Sequence, residues 1–145
     1  MFGAYLLLFD PQTAVGFLDW RFVSRAYSAT WTGIGLTLAG LLFACWARIF
    51  IGRNWSSAVT VKQNHELIRT GPYGIVRHPI YTGLLLAMLG TAIVISEVRG
   101  LIALALATIS FWLKLQVEEQ FMTGQFGAEY TAYKRDVKAL VPFIW

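Results

Sequence analysis

Polar, turn-forming and ionisable residues are concentrated between two long apolar segments, from His65 to Gly83. This stretch reads HELIRTGPYGIVRHPIYTG and holds both histidines and two of the four prolines of the chain. Pro79 is well placed as the first residue of a helix, where its missing N–H is not needed. The N–H groups of such a turn favour an anion, and His78 and Tyr81 can add hydrogen bonds. We interpret the stretch as one wall of a small-molecule site. The alternative is a capping histidine beside an interfacial tyrosine.

A second group of ionisable residues, Lys114, Glu118 and Glu119, lies near the end of a later apolar segment. Lys114 and Glu118 are four residues apart and share a helix face, whereas Glu119 points about 100° away. Ionisable groups at such a depth indicate a functional site, although a snorkelling lysine paired with its own glutamate is the alternative. A helix N-terminus, tyrosines and a carboxylate together suit a ligand with both a carboxylate and a cation, such as S-adenosylmethionine.

The composition predicts that a membrane surrounds these residues. The chain has 145 residues, of which 57% are hydrophobic and 14% charged, whereas soluble domains average about 25% charged residues. This length predicts one domain, 1–145. The net charge of +4 does not indicate nucleic-acid binding, because the basic residues lie at the ends of apolar segments. The lone Cys45 excludes an internal disulfide, and no residue pattern predicts a metal site.

The hydrophobic pattern predicts an all-α membrane bundle with about three spanning helices, at 26–51, 79–96 and 100–117. The last two are expected to form a hairpin. Residues 1–25 are an apolar stub or interfacial segment, and 118–145 a cytoplasmic segment with an interfacial helix whose aromatic face holds Phe126, Tyr130 and Tyr133. Two stripes of small residues predict close helix packing: Gly33, Thr37, Gly40 and Ala44, and Gly83, Ala87 and Gly90. The excess of Lys and Arg places the polar loop and the C-terminus in the cytoplasm.

Three motifs follow one another in the second half of the chain. They are RHPxYxG at 77–83, the paired glutamates at 118–119 and FGxxYxxY at 126–133. In combination they resemble the isoprenylcysteine carboxyl methyltransferase family, in its bacterial branch, over Leu36 to Trp145. The resemblance implies a multi-pass enzyme of the bacterial inner membrane with its active site facing the cytoplasm. It also implies further membrane helices before Ala26, where this chain has a short stub.

The same resemblance implies S-adenosylmethionine as methyl donor, with S-adenosylhomocysteine as product, and a lipid-like acceptor dissolved in the bilayer. The residues at the family's cofactor-binding positions are His65, Glu66, Leu67, Ile68, Tyr73, His78, Pro79, Ile80, Tyr81 and Glu118. Lys114 stands where the family has an arginine that contacts the substrate. Lysine lacks the bidentate fork of arginine, so the resemblance leaves the acceptor open.

Two acceptors are compatible with these residues. Carboxyl O-methylation of an isoprenoid-type acid is the main expectation and needs no general base near neutral pH, because the acceptor is already ionised. Phospholipid N-methylation needs a proton removed, and Glu119 or a tyrosine would serve. Outside methyl transfer, the alternatives are an NADPH enzyme similar to sterol reductases and a membrane protein without catalysis. The Asn-Tyr-x-Gly-Asp motif of those reductases is absent at 79–84. The sequence does not determine the oligomeric state.

Overall fold

The computed structural model describes residues 2–22, 27–52 and 67–142, which are almost entirely helical. Within these residues there are five α-helices: α1 (Phe2–Phe9), α2 (Tyr27–Ile51), α3 (Pro79–Ile95), α4 (Val98–Phe126) and α5 (Ala128–Asp136). Short 3₁₀ helices lie at Pro11–Thr13, Gly16–Asp19 and Gly71–Gly74. The predicted all-α class is confirmed, and the predicted helices 26–51 and 79–96 agree with α2 and α3 to within one residue.

The chain divides into two compact units. The first consists of Met1–Leu42 and Gly83–Trp112, and the second of Phe43–Thr82 and Leu113–Trp145. Each of α2, α3 and α4 contributes residues to both. The expectation that 1–145 is a single domain stays a prediction.

In the first unit, α2 and α3 pack closely through the predicted stripes of small residues. A Cβ atom added to Gly33 would lie 2.6 Å from the carbonyl oxygen of Gly90, and one added to Gly40 would overlap the backbone of Gly83 and Ala87. Such contacts are possible only where both helices lack bulk. Both stripes therefore serve helix packing.

Between α3 and α4 the chain reverses through Ser96, which has a φ of +59° and donates its hydroxyl to the carbonyl of Ile93 at 2.6 Å. Beside this turn, Arg99 donates to the Glu97 carboxylate at 2.6 Å and to the Asp10 carbonyl at 3.0 Å. The paired side chains are almost fully buried. Gly100 of α4 lies against Ala92 of α3, so the predicted hairpin is present.

The fourth helix is longer than the sequence pattern predicts. The pattern predicts that it ends at residue 117, but α4 extends to Phe126 and is 29 residues long in all. Lysine and glutamate are good helix formers, so the loss of apolar character after Lys114 does not end the helix. The backbone turns at Gly127, where φ is +53°. The predicted polar segment 118–145 therefore begins as the last turns of α4.

Two helices, α2 and α4, are long and apolar enough to cross a membrane, by length and composition. The third candidate, α3, is apolar but has 17 residues. At 1.5 Å per residue it measures about 26 Å, against about 30 Å for the hydrocarbon core. Two of the three predicted spans therefore have ample length, and the length of α3 lies at the lower limit for crossing the hydrocarbon core.

Candidate active site

The candidate site lies in the second unit, at the beginning of α3. Pro79 is the first helical residue, as predicted, and is fully buried. Just before it, Arg77 and His78 donate their backbone N–H groups to the carbonyls of Lys138 and Ala139, at 2.8 and 3.0 Å. These two N–H groups are thus satisfied by the chain segment that follows α5, rather than being available to an anion.

The segment leading into α3 forms a 3₁₀ helix, Gly71–Gly74, with Tyr73 buried inside it. Gly71 has a φ of +60° and lies against the ring of Phe50, where a side chain would clash. The carbonyl of Tyr73 accepts a hydrogen bond of 2.6 Å from the hydroxyl of Tyr133, in α5. Burial raises the pKa of Tyr73 to about 12, so this phenol stays protonated at neutral pH.

Glu119 occupies the centre of a buried cluster of charged groups. Its Oε1 atom accepts hydrogen bonds from Arg77, at 2.6 Å from Nη2 and 2.8 Å from Nε. Its Oε2 atom lies 2.9 Å from the Lys134 Nζ, and the His78 Nε2 lies 3.3 Å from Oε1. A carboxylate held by two cations is a poor proton acceptor. The geometry therefore argues against the expectation that Glu119 acts as a general base.

Glu118 lies in a different environment, although it adjoins Glu119 in the sequence. The Tyr81 hydroxyl donates to Glu118 Oε1 at 2.6 Å, and Lys114 Nζ lies 3.8 Å from the same oxygen. The Glu118 side chain is 24% exposed, against 7% for Glu119. Lys114 is half-exposed and lies 5.7 Å from the centre of the Tyr81 ring. This carboxylate therefore retains access to a ligand.

The imidazole of His78 lies between the two glutamates. Its Nδ1 atom is 3.6 Å from Glu118 Oε2, and its Nε2 atom is on the side of Glu119. The ring also stacks on that of Tyr81, with 5.6 Å between centroids and 7° between planes. His78 thus connects the buried cluster to the accessible one.

The structure brings together five of the predicted site residues: His78, Tyr81, Lys114, Glu118 and Glu119. Pro79 and Ile80 belong to the same first turn of α3.

Of the four loop residues predicted to bind the cofactor, at 65–68, the structure describes two. Leu67 and Ile68 are half-buried and precede the Gly71–Gly74 helix. His65 and Glu66 lie outside the described residues. Their assignment as cofactor-binding residues stays a prediction.

The sequence analysis does not place Arg77 or Lys134, the two cations that hold Glu119, among the site residues. Arg77 also donates through Nη1 to the backbone carbonyls of Lys134 and Val137, so it joins α4 to the end of α5. Arginine is rarely buried without a partner. Its position directly before His78 was the one available signal. Nothing in the sequence pairs it with a glutamate 42 residues away.

Comparison with known proteins agrees with this arrangement. The family model described as phospholipid methyltransferase matches residues 28–129. This range includes all of α3 and α4, with Glu118 and Glu119, and all but the first residue of α2. The chain belongs to the phospholipid methyltransferase family. The sequence is also similar to protein-S-isoprenylcysteine O-methyltransferase B of Arabidopsis thaliana, with 29% identity over 77% of this chain and 58% of the relative. The predicted resemblance to isoprenylcysteine carboxyl methyltransferases is confirmed.

One further relative and one solved structure show how much of each protein is similar to this chain. The cobalt-zinc-cadmium resistance protein CzcN of Cupriavidus metallidurans is 29% identical over 80% of this chain and 53% of its own length. A solved eukaryotic intramembrane Ras methyltransferase, isoprenylcysteine carboxyl methyltransferase, has the same fold, with a TM-score of 0.77 and 22% identity over 99% of this chain and 50% of that one. The chain thus spans about half to three fifths of the length of these three proteins. The fold likeness and the two apolar helices indicate an integral membrane protein.

Proposed function

We propose that this protein transfers a methyl group from S-adenosylmethionine to a lipid-like acceptor in the membrane, in the main case the carboxylate of an isoprenoid-type acid. The observation that carries the proposal is the accessible Glu118 carboxylate, held by Tyr81 and next to the half-exposed Lys114. Membership of a methyltransferase family and the isoprenylcysteine methyltransferases among the relatives support it. When bound, S-adenosylmethionine supplies an activated methyl group.

The residues around Glu118 fit a cationic cofactor. Glu118 lies in a partly desolvated place, with the Tyr81 hydroxyl at 2.6 Å and the Lys114 ammonium group at 3.8 Å. The His78 Nδ1 atom lies 3.6 Å from its other oxygen. A cationic ligand can therefore gain more from this carboxylate than from a solvent-exposed one. The stacked rings of His78 and Tyr81 lie beside this carboxylate. We propose that His78, Tyr81 and Glu118 bind the charged end of the cofactor, and that Tyr73 with residues 65–68 surrounds the nucleoside.

The half-exposed Lys114 is suited to orient an anionic acceptor. An ionised carboxylate can react without losing a proton, so catalysis needs positioning and the exclusion of water rather than a base. This agrees with the state of Glu119, whose oxygens are engaged by Arg77 and Lys134.

A phospholipid amine is the second candidate acceptor, and the description of the matching family favours it. An amine must lose a proton during methylation, which calls for a base near the reacting nitrogen. Of the two glutamates, only Glu118 is accessible, and it is assigned to the cofactor here. The carboxylate acceptor is therefore the main proposal.

We also propose that the site faces the cytoplasm of a bacterial inner membrane. Seven basic residues belong to the described part of the second unit: Arg48, Arg69, Arg77, Lys114, Lys134, Arg135 and Lys138. The described part of the first unit has Arg21 and Arg99. The positive-inside rule supports placing the more basic second unit on the cytoplasmic side.

Titration calorimetry of the detergent-solubilised protein tests the cofactor assignment. We expect S-adenosylhomocysteine to bind and NADPH not to bind. Loss of the hydrogen bond in Tyr81→Phe, or of the charge in Glu118→Gln, should each weaken S-adenosylhomocysteine binding about tenfold or more. Tyr27→Phe and Glu129→Gln, at exposed positions, are the matched controls and should bind as the parent does. A parent protein that binds NADPH and ignores S-adenosylhomocysteine would refute methyl transfer.

The acceptor is tested by methyl transfer from radiolabelled S-adenosylmethionine into a total lipid extract. A label that mild base releases as methanol comes from a methyl ester and supports a carboxylate acceptor. A label that base does not convert to methanol and that stays on a phospholipid headgroup amine contradicts the main proposal in favour of the phospholipid amine.

A further inference from the structure

The buried cluster around Glu119 joins three parts of the second unit. Glu119 belongs to α4, Arg77 directly precedes α3, and Lys134 belongs to α5. The Glu119 and Arg77 side chains are 7% and 9% exposed. A carboxylate buried to this degree stays ionised only where it is paired, so these contacts fix its position.

The side chain of His78 connects the cluster to the proposed cofactor site. His78 contacts Glu119 with one ring nitrogen at 3.3 Å and faces Glu118 with the other at 3.6 Å. The same ring stacks on Tyr81, whose hydroxyl binds Glu118. A displacement of His78 would therefore remove the stacking contact with Tyr81 and, at the same time, change the surroundings of Glu118.

We propose that Glu119 is a positioning residue for cofactor binding: with Arg77 and Lys134 it holds His78, and through His78 it fixes the Tyr81–Glu118 pair. This inference rests on the proposed function, because it takes Glu118 and Tyr81 as the cofactor-binding groups. Adjacent glutamates thereby have separate tasks. Glu118 contacts the ligand, and Glu119 sets the geometry of the groups that do so.

A purely structural role for Glu119 predicts a different result from a positioning role, and the chain contains a matched control. Glu97 and Arg99 form another buried glutamate–arginine pair, at 2.6 Å and 8% and 11% exposed, in the first unit. Glu119→Gln and Glu97→Gln should both lower the thermal midpoint. Only Glu119→Gln should also weaken S-adenosylhomocysteine binding, by about tenfold, as measured by calorimetry on the folded fraction.

A milder pair of variants keeps the test valid if Glu119→Gln does not fold. Lys134 is 41% exposed and contacts Glu119, whereas the neighbouring Arg135 is 80% exposed and contacts Asp136. Lys134→Met frees one oxygen of Glu119 and should weaken S-adenosylhomocysteine binding about threefold. Arg135→Met should leave it unchanged.

Coupling between the two glutamates gives the second readout. If Glu119 acts through the Tyr81–Glu118 pair, Glu118→Gln should cost less binding in the Glu119→Gln background than in the parent. Parent-like affinity of Glu119→Gln and Lys134→Met, or additive effects of the two glutamate substitutions, would overturn the positioning role while leaving the proposed function intact. A parent that does not bind S-adenosylhomocysteine would overturn both.

Discussion

Replacing Arg77 by methionine should destabilise the second unit strongly. The guanidinium makes two hydrogen bonds to Glu119 Oε1, at 2.6 and 2.8 Å, and its Nη1 atom donates to the carbonyls of Lys134 and Val137. Arg77→Met removes all of them and leaves a buried carboxylate with less compensation. Breaking a buried ion pair in this way costs about 3–5 kcal/mol.

The lower end of that range applies here. Lys134 remains 2.9 Å from Glu119 Oε2 after the substitution and continues to compensate its charge. A loss of about 3 kcal/mol corresponds to a fall in the thermal midpoint of about 6–12 °C for a chain of this size. Thermal unfolding followed by tryptophan fluorescence in detergent measures this fall, at one scan rate for all variants, because unfolding of membrane proteins is often irreversible.

Two controls make the measurement decisive. Arg135→Met removes an arginine that is 80% exposed and should change the midpoint by less than about 1 °C. The double variant Arg77→Met/Glu119→Met removes both charges and should recover part of the loss, since no uncompensated carboxylate remains. A fall below about 2 °C for Arg77→Met alone would refute the reasoning, because the cluster would then contribute little to stability.

Two further substitutions test the packing around the site and between the helices. Tyr133→Phe removes the buried 2.6 Å hydrogen bond to the Tyr73 carbonyl and should cost about 1–3 kcal/mol, because the acceptor loses a buried partner; chemical unfolding in detergent measures it. Gly40→Ala places a Cβ atom against the backbone of Gly83 and Ala87. It should lower the thermal midpoint, since overpacking costs about 1–3 kcal/mol.

Each of these substitutions has a control in the same chain. Tyr27 is 79% exposed, so Tyr27→Phe should leave stability unchanged, and an equal loss in both tyrosine variants would contradict the buried hydrogen bond. Gly35 has no atom within 4 Å of an added Cβ. Gly35→Ala should leave the midpoint unchanged or raise it, because alanine is the better helix former. A Gly40→Ala variant as stable as Gly35→Ala would refute the close approach.

The sequence by itself determined the local features of this protein. Uninterrupted apolar runs specify α2 and α3, and Pro79 marks the beginning of α3 because proline fits the first helical turn. The spacing of Lys114 and Glu118 also placed them together, since residues four apart share a helix face. Each of these features depends on neighbours within one or two helical turns.

Only the tertiary structure decided how the two adjacent glutamates differ. Glu119 is buried because Arg77 and Lys134 reach it from other parts of the chain, and Glu118 stays accessible beside Tyr81. The end of α4 is another such case, because polar residues after Lys114 are compatible with either a helix or a loop. These outcomes depend on contacts between residues about 15 to 60 positions apart in the sequence. Side-chain pattern specifies which face a residue occupies, and packing between distant segments specifies what that face meets.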